Sequence, residues 1–400
     1  MRFDLDNDHV RTAGRNLVYN DHTIFSWSGS YAEFTFTGRH ASAVINCKNY
    51  DSSDSTYDTW IAVYADYPPA RPKGKKPVDS PCPELSLSSC DLPNTGSELA
   101  NKFSTVTGAA FTGTSTLVAR FALSDGTAEY ELYDSQEINE VTLRIVKMSE
   151  AQYGSFYIDS IETDDPCGAK PTEEPKKRIE FIGDSITCGF GIEGRNDIDP
   201  FCTRLENPMK AYACQTAFRL NADYRLISWS GIGITSFWIP PEVDEPLRDV
   251  LMPDLYPYID KTAAANWSAA IKTYDGSYDP DLIVLHIGTN DASYTRMIPD
   301  RTTGFSHAYE KFLKTVHKIN PRSKILCIYG IMEQTLQSSI SQAVMNYSVD
   351  TGDHDTVRYL ALDKMQESDN LGSCGHPGIV SQRKLADSVA DAITSLGICD

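Results

Sequence analysis

The sequence predicts an α/β unit built on a parallel sheet and preceded by an all-β sandwich. Three features of the chain carry this expectation. Short runs that alternate apolar and polar residues fill its first part, a charged, proline-bearing stretch follows, and from about Arg178 apolar runs alternate with segments of helical spacing.

In the first part, Glu33-Phe34-Thr35-Phe36-Thr37 and residues 141–145 keep a two-residue period, as do 60–64 and 117–123. Side chains on a strand point alternately to its two faces, so this pattern marks half-buried antiparallel strands, and two packed sheets are their natural closure. A stretch near 67–113, rich in Pro, Ser and Lys and containing RPKGKKP, is expected to be a solvated surface insertion. The expected division is a sandwich over 1–165, a linker over 166–178 (within DDPCGAKPTEEPKKR) and an α/β domain over 179–400. Strands are expected at 179–182, 224–229, 282–287, 325–329 and 357–362, with helices at 305–319 and 378–396. In a sheet of this kind the loops leaving the carboxyl ends of the strands form the functional crevice.

Composition narrows the partners. A formal charge of −19 repels phosphate backbones and anionic lipid surfaces, so neither nucleic acid nor membrane is expected as a partner. A neutral polymer suits the chain better. The opening MRFDLDNDHV lacks the apolar core of a secretory signal. Ten cysteines and the sequons at Asn266 and Asn346 are nevertheless compatible with an oxidising secretory route, from which secretion is expected. Cys82 and Cys90 are placed to close a small loop; Cys188 and Cys327 lie in apolar runs and are expected unpaired.

The chemistry gathers at the strand ends. The first ends in Gly183-Asp184-Ser185-Ile186-Thr187, a strand-to-helix turn that exposes a hydroxyl to the positive end of a helix. An isolated Asp-Ser there is equally a helix cap. The second strand ends in Ser228-Trp229-Ser230-Gly231-Ile232-Gly233 and the third in Gly288-Thr289-Asn290-Asp291. A glycine N–H and an asparagine amide, together with the Ser185 N–H, make a three-donor oxyanion hole. After the fifth strand, Ser373-Cys374-Gly375-His376 places an imidazole where it can take the Ser185 proton. His286, His307 and His317 are expected to be structural. No two histidines lie within five residues of each other, so no metal site or other cofactor is expected.

GDSIT, the glycine after strand two, GTND and a late His, in that order, resemble the blocks of the SGNH/GDSL hydrolases. The resemblance implies a flavodoxin-like parallel sheet, Ser185 as nucleophile, Gly231 and Asn290 as oxyanion donors, and His376 as general base, with Gly233 a weaker substitute for Gly231. Trp27-Ser28-Gly29-Ser30 with Ala32-Glu33-Phe34, and Val146-Lys147-Met148-Ser149-Glu150-Ala151, resemble the jelly-roll domain of carbohydrate esterase family two. That implies deacetylation of acetylated xylan, glucomannan or their oligosaccharides. The wider superfamily places an Asp three residues before the catalytic His, where this chain has Ser373. The resemblance therefore implies a Ser-His dyad with a backbone carbonyl orienting the ring; Asp363 and Asp369 are alternative orienters.

Trp229, Trp238 and Tyr256 are expected to bind substrate, because aromatic faces stack on sugars; for Trp229 core packing is an equal expectation. An SGNH lipase or lysophospholipase, a feruloyl-type esterase and a glycan-binding module with vestigial catalysis are the rival readings.

Overall fold

The computed structural model describes residues 1–67 and 115–397. The expected insertion, from residue 68 on, with Cys82, Cys90 and RPKGKKP, lies outside the described residues.

Apart from a separate two-stranded hairpin, Leu17–Tyr19 with His22–Ile24, the N-terminal part is one hydrogen-bonded antiparallel sheet. Its longer strands are β1 (Tyr31–Asn49), β2 (Trp60–Asp66), β3 (Thr116–Ala122), β4 (Gly126–Lys147) and β5 (Gly154–Thr163). They run in the order β5-β1-β4-β2-β3, with the short strand Arg2–Phe3 outside β5. β1 carries register shifts between Gly38 and His40 and between Ala41 and Ser42. Beyond these irregularities it keeps β4 on one side but changes its other neighbour, from Arg11–Ala13 and Lys170–Pro171 to β5. Bulges bend a strand in this way, which lets two long strands serve both ends of a β structure.

One face of this sheet buries Ala32, Phe34, Phe36, Leu143 and Ile145 in a core of its own. The opposite face does not meet solvent as alternation predicts. Glu33 is buried there between Arg144 and Arg11, the latter at 3.1 Å, and the Tyr31 hydroxyl donates to Asp223 at 2.8 Å. The second half of the chain covers this face, and the polar residues survive burial because each charge has a partner.

The C-terminal part is a five-stranded, fully parallel sheet of β6 (Lys177–Gly183), β7 (Ala222–Ser228), β8 (Leu282–His286), β9 (Lys324–Tyr329) and β10 (Val357–Ala361), in the order β7-β6-β8-β9-β10. Each expected strand is present to within two residues at either end. The longer helices are α1 (Tyr212–Arg219), α2 (Pro299–Ile319), α3 (Gln337–Thr351) and α4 (Ile379–Ser395). α2 begins six residues before its apolar stripe, on a proline in the first turn, where the missing N–H costs nothing. α3 was not legible as a helix, because it buries Ile340, Ala343 and Tyr347 while leaving Met345 and Val349 exposed, which blurs the apolar stripe.

The two parts share a core. Ala13, Tyr31, Tyr64, Val146 and Met148 pack in one buried cluster with Ile179, Phe181, Tyr224 and Leu226. Beside it lies an ion pair without solvent contact, in which Arg15 Nη2 donates to both Glu180 oxygens, at 3.1 and 3.0 Å. Arg15 also donates to the Tyr256 carbonyl at 2.7 Å, and its guanidinium lies 3.8 Å from the Tyr274 ring centroid. Among the described residues, no helix is long and apolar enough to cross a membrane.

Candidate active site

The strand order sends the chain from β6 outward to β7 and then back across to β8, so β6 stands at the switch point of the sheet. There the loops diverge and leave a crevice. In the ladder Gly183 is opposite both Ser228 and His286, which brings the exits of β6, β7 and β8 side by side. Ser185, Gly231 and Asn290 follow those three exits at short spacing.

Ser185 is the first residue of the helical turn Ser185–Cys188, capped by Asp184, whose carboxylate accepts from the Ile186 N–H at 3.0 Å. Burial pushes the Asp184 carboxyl up to about 7, against that hydrogen bond. Ser185 is 4% exposed, and its Oγ lies 2.9 Å from His376 Nε2.

His376 arrives on a loop held down from two directions. Ser373 N–H donates to the Gly191 carbonyl at 2.9 Å, Gly375 N–H to Asn196 Oδ1 at 2.8 Å, and Gly372 N–H to the His376 carbonyl at 2.8 Å. Cys374 and Gly375 both take left-handed φ, 55° and 72°, which reverses the chain in time for the ring to face Ser185. Phe190 packs on the imidazole, with centroids 4.4 Å apart. Burial pushes His376 down to about 4, although the Cys374 and Ser373 carbonyls favour the charged ring. Neither alternative orienter meets it: Asp369 accepts from Lys384 at 2.7 Å and Ser381 at 3.4 Å, and Asp363 is exposed.

Gly231 has φ +82°, and a Cβ there would sit 2.2 Å from the Phe237 ring. Any side chain would displace either the loop or the phenylalanine. Its carbonyl accepts from the Trp238 N–H at 2.8 Å. Gly233 is a packing glycine: its Cβ would meet the Ser236 carbonyl at 2.1 Å and the Asp291 carboxylate at 2.6 Å. Asn290 is buried and spends one amide N–H on the Ile232 carbonyl at 2.8 Å, which leaves the other for a ligand.

The expected aromatic residues separate. Trp238 is 52% exposed beside the Gly231 loop. Trp229 is half-buried and donates from Nε1 to Gln152 Oε1 at 2.6 Å. Tyr256 corrects the expectation: it is 0% exposed, with its hydroxyl between Glu180 and Asn320, 2.7 Å from each, and it has no face to offer a sugar. The expectation rested on the general affinity of aromatic faces for sugars, but the buried Glu180 takes its hydroxyl.

Two acidic residues near the site were missed as parts of it. Asp291 is buried and takes the N–H groups of Ile234, Thr235 and Ser236 and the Thr235 hydroxyl. Burial raises its carboxyl, against these bonds. Glu150, from the N-terminal part, accepts from Ser230. The fourth letter of GTND was the available signal for Asp291; nothing in the sequence pairs Glu150 with Ser230. Among the described residues, no three His, Cys, Asp or Glu side chains are grouped to hold a metal ion, and the seven described cysteines, buried Cys188 and Cys327 among them, are unpaired.

Residues 181–360 match the model of the GDSL-like Lipase/Acylhydrolase family. This part of the chain is similar to that family. The GDSL match spans β6 to β10 and ends before His376. Beyond it, the chain is similar to the cellulase/esterase CelE of Acetivibrio thermocellus, 27% identical over 94% of this chain and 39% of the relative. It is also similar to an acetylxylan esterase / glucomannan deacetylase of Cellvibrio japonicus, 28% identical over 62% of this chain and 64% of the relative. The chain thus spans about two fifths of the first relative and just under two thirds of the second. Among solved structures, it resembles a family two carbohydrate esterase from Clostridium thermocellum in complex with cellohexaose, with a TM-score of 0.72 and 24% identity over 97% of this chain and 99% of that one. It also resembles the acetyl xylan esterase Est2A of the rumen bacterium Butyrivibrio proteoclasticus, with a TM-score of 0.78 and 20% identity over the whole of both chains. The fold, an antiparallel β-rich part followed by the SGNH sheet, is common to these structures.

Proposed function

We propose that the protein is a secreted serine esterase that removes O-acetyl groups from plant cell-wall xylan, glucomannan or their oligosaccharides. The observation that carries this reading is the 2.9 Å contact between Ser185 Oγ and His376 Nε2 at the switch point of a GDSL sheet. The named activities of the similar proteins supply the substrate class.

In this mechanism His376 takes the Ser185 proton as Oγ bonds to the acetyl carbonyl carbon. The carbonyl oxygen becomes an oxyanion facing the Ser185 and Gly231 N–H groups and the free amide N–H of Asn290. Collapse breaks the bond to the sugar oxygen, which leaves with the proton from His376, and water then releases acetate from the acyl-serine by the same route. Among the described residues no carboxylate meets the ring, so His376 works in a dyad. Its burial keeps the imidazole neutral and ready as a base in acid. Trp238, and the edge of Trp229, are the surfaces for the sugar; Tyr256 is withdrawn from that role.

The same reading takes the N-terminal sheet as a jelly-roll domain over 1–165, joined through 166–178 to the catalytic domain at 179–400. The net charge of −19 supports a neutral glycan partner rather than nucleic acid or membrane.

Acetate release from acetylated xylan and glucomannan, measured beside nitrophenyl esters of rising chain length, tests the function. Strong release from the glycans and falling rates beyond short acyl groups are expected. Preference for long chains with no glycan deacetylation would move the protein to the lipases. The pH profile of kcat/KM is expected to stay level from neutral pH down to about 5 and to fall near 4, because that constant reports the free enzyme's base and His376 is pushed down to about 4. An acid limb centred near 6.5 would contradict the buried, neutral imidazole.

A further inference from the structure

The loop that leaves β7 and carries Gly231 is held at several points, and one of them belongs to the other part of the chain. Glu150, without solvent exposure, follows β4 and caps the turn Ala151–Tyr153. Its carboxylate reaches across to Ser230, accepting the backbone N–H at 2.6 Å on one oxygen and the hydroxyl on the other. Two residues on, Gln152 donates to Glu150 at 3.1 Å and accepts from Trp229 Nε1 at 2.6 Å. The residues on which Glu150 rests are fixed in turn. Lys147 Nζ donates to the Ser149 and Glu150 carbonyls at 2.8 and 3.2 Å, and the Glu150 N–H donates to Glu206 at 3.0 Å.

The geometry points to Glu150 as a positioning residue for the oxyanion hole: by clamping Ser230 through both its N–H and its hydroxyl, it sets the peptide whose next N–H is that of Gly231. This rests on the esterase reading of Ser185 and His376. A carboxylate suits the task because Ser230 presents two donors to it and an ionised carboxylate is acceptor-only. Gln at 150 offers one acceptor and turns an amide N–H towards Ser230. The Gly231 N–H is a donor only if it is aimed where the oxyanion forms, and small displacements of such a group are costly to rate. On the far side of Gly231, Asn290 holds the Ile232 carbonyl and Asp291 holds residues 234–236, so without Glu150 the loop stays attached but is free to turn about Ser230.

The test is E150Q, with Ser230→Ala as a second variant, assayed on an acetyl ester and on its thiono analogue, whose sulfur accepts hydrogen bonds weakly. For E150Q, kcat is expected to fall about tenfold to a hundredfold with KM within about threefold, less than the loss of a whole oxyanion donor. The preference for the oxygen ester over the thiono ester should shrink in parallel, which a general loss of folded protein does not produce. Ser230→Ala should show the same pattern at about threefold to tenfold, since it keeps the backbone N–H bond. If E150Q does not fold, Ser230→Ala decides the matter, and an unchanged kcat and oxygen preference there overturns the assignment. A folded E150Q with unchanged kcat overturns the role of Glu150 alone, provided the parent enzyme turns over and Ser185→Ala does not. A parent with no ester turnover overturns both readings.

Discussion

Replacing Ser185 with alanine is expected to lower kcat by at least about 10⁴-fold while leaving the melting temperature nearly unchanged, and His376→Ala should do the same. The serine side chain is small, and among the described residues its Oγ has the single partner His376 Nε2, so its removal leaves no stranded buried charge. In the proposed mechanism the two groups perform one proton transfer, so the double variant should be no slower than either single one, within a few-fold. What activity remains would come from the oxyanion donors, which neither change removes. Additive losses in the double variant would show two separate functions and contradict the dyad; substantial turnover in Ser185→Ala would remove the serine mechanism altogether. Trapping of an acetyl group on Ser185 by mass spectrometry under rapid quench gives an independent check.

The second large effect concerns stability. Arg15→Met is expected to cost about 3–5 kcal/mol, the usual consequence of leaving one member of a buried ion pair without the other. Glu180 sits on β6, the central strand at the switch point, and among the described residues would keep only the Tyr256 hydroxyl as a partner. The change should appear in denaturant melts as a lower midpoint at constant slope, because the exposed area of the unfolded chain hardly changes. Replacing both partners with apolar residues of similar size should restore most of the loss. A loss below about 1 kcal/mol for Arg15→Met would mean that water reaches Glu180 and that the two parts are less tightly joined than the shared core implies.

The site was more legible in the sequence than its surroundings, for a physical reason. Catalytic groups of a parallel sheet must follow strand ends, so apolar runs that mark strands also mark where to look, and Ser185, Gly231, Asn290 and His376 stand in that order. The partners of a buried polar group carry no such mark. Alternation assigned Glu33 and Arg144 to an outer face, since the pattern records that a face is polar but not what covers it. Tyr256 was assigned to substrate as an aromatic ring face; its burial depends on Glu180, Asn320 and Arg15, all distant in sequence. Glu150 was visible only as part of a motif, and its contact with Ser230 spans 80 positions.

The cluster that joins Tyr31, Tyr64 and Val146 to Phe181 and Leu226 has a consequence for how such a protein can be inherited or rebuilt. A C-terminal part severed at the connection would present an apolar flank and an orphaned Glu180 to water, and a severed N-terminal part would do the same with Arg15 and Tyr31. The two halves are therefore not interchangeable cassettes. Grafting this protein onto another scaffold, or recombining it with a cousin, means carrying both halves as one cargo, with the cut placed outside the pair.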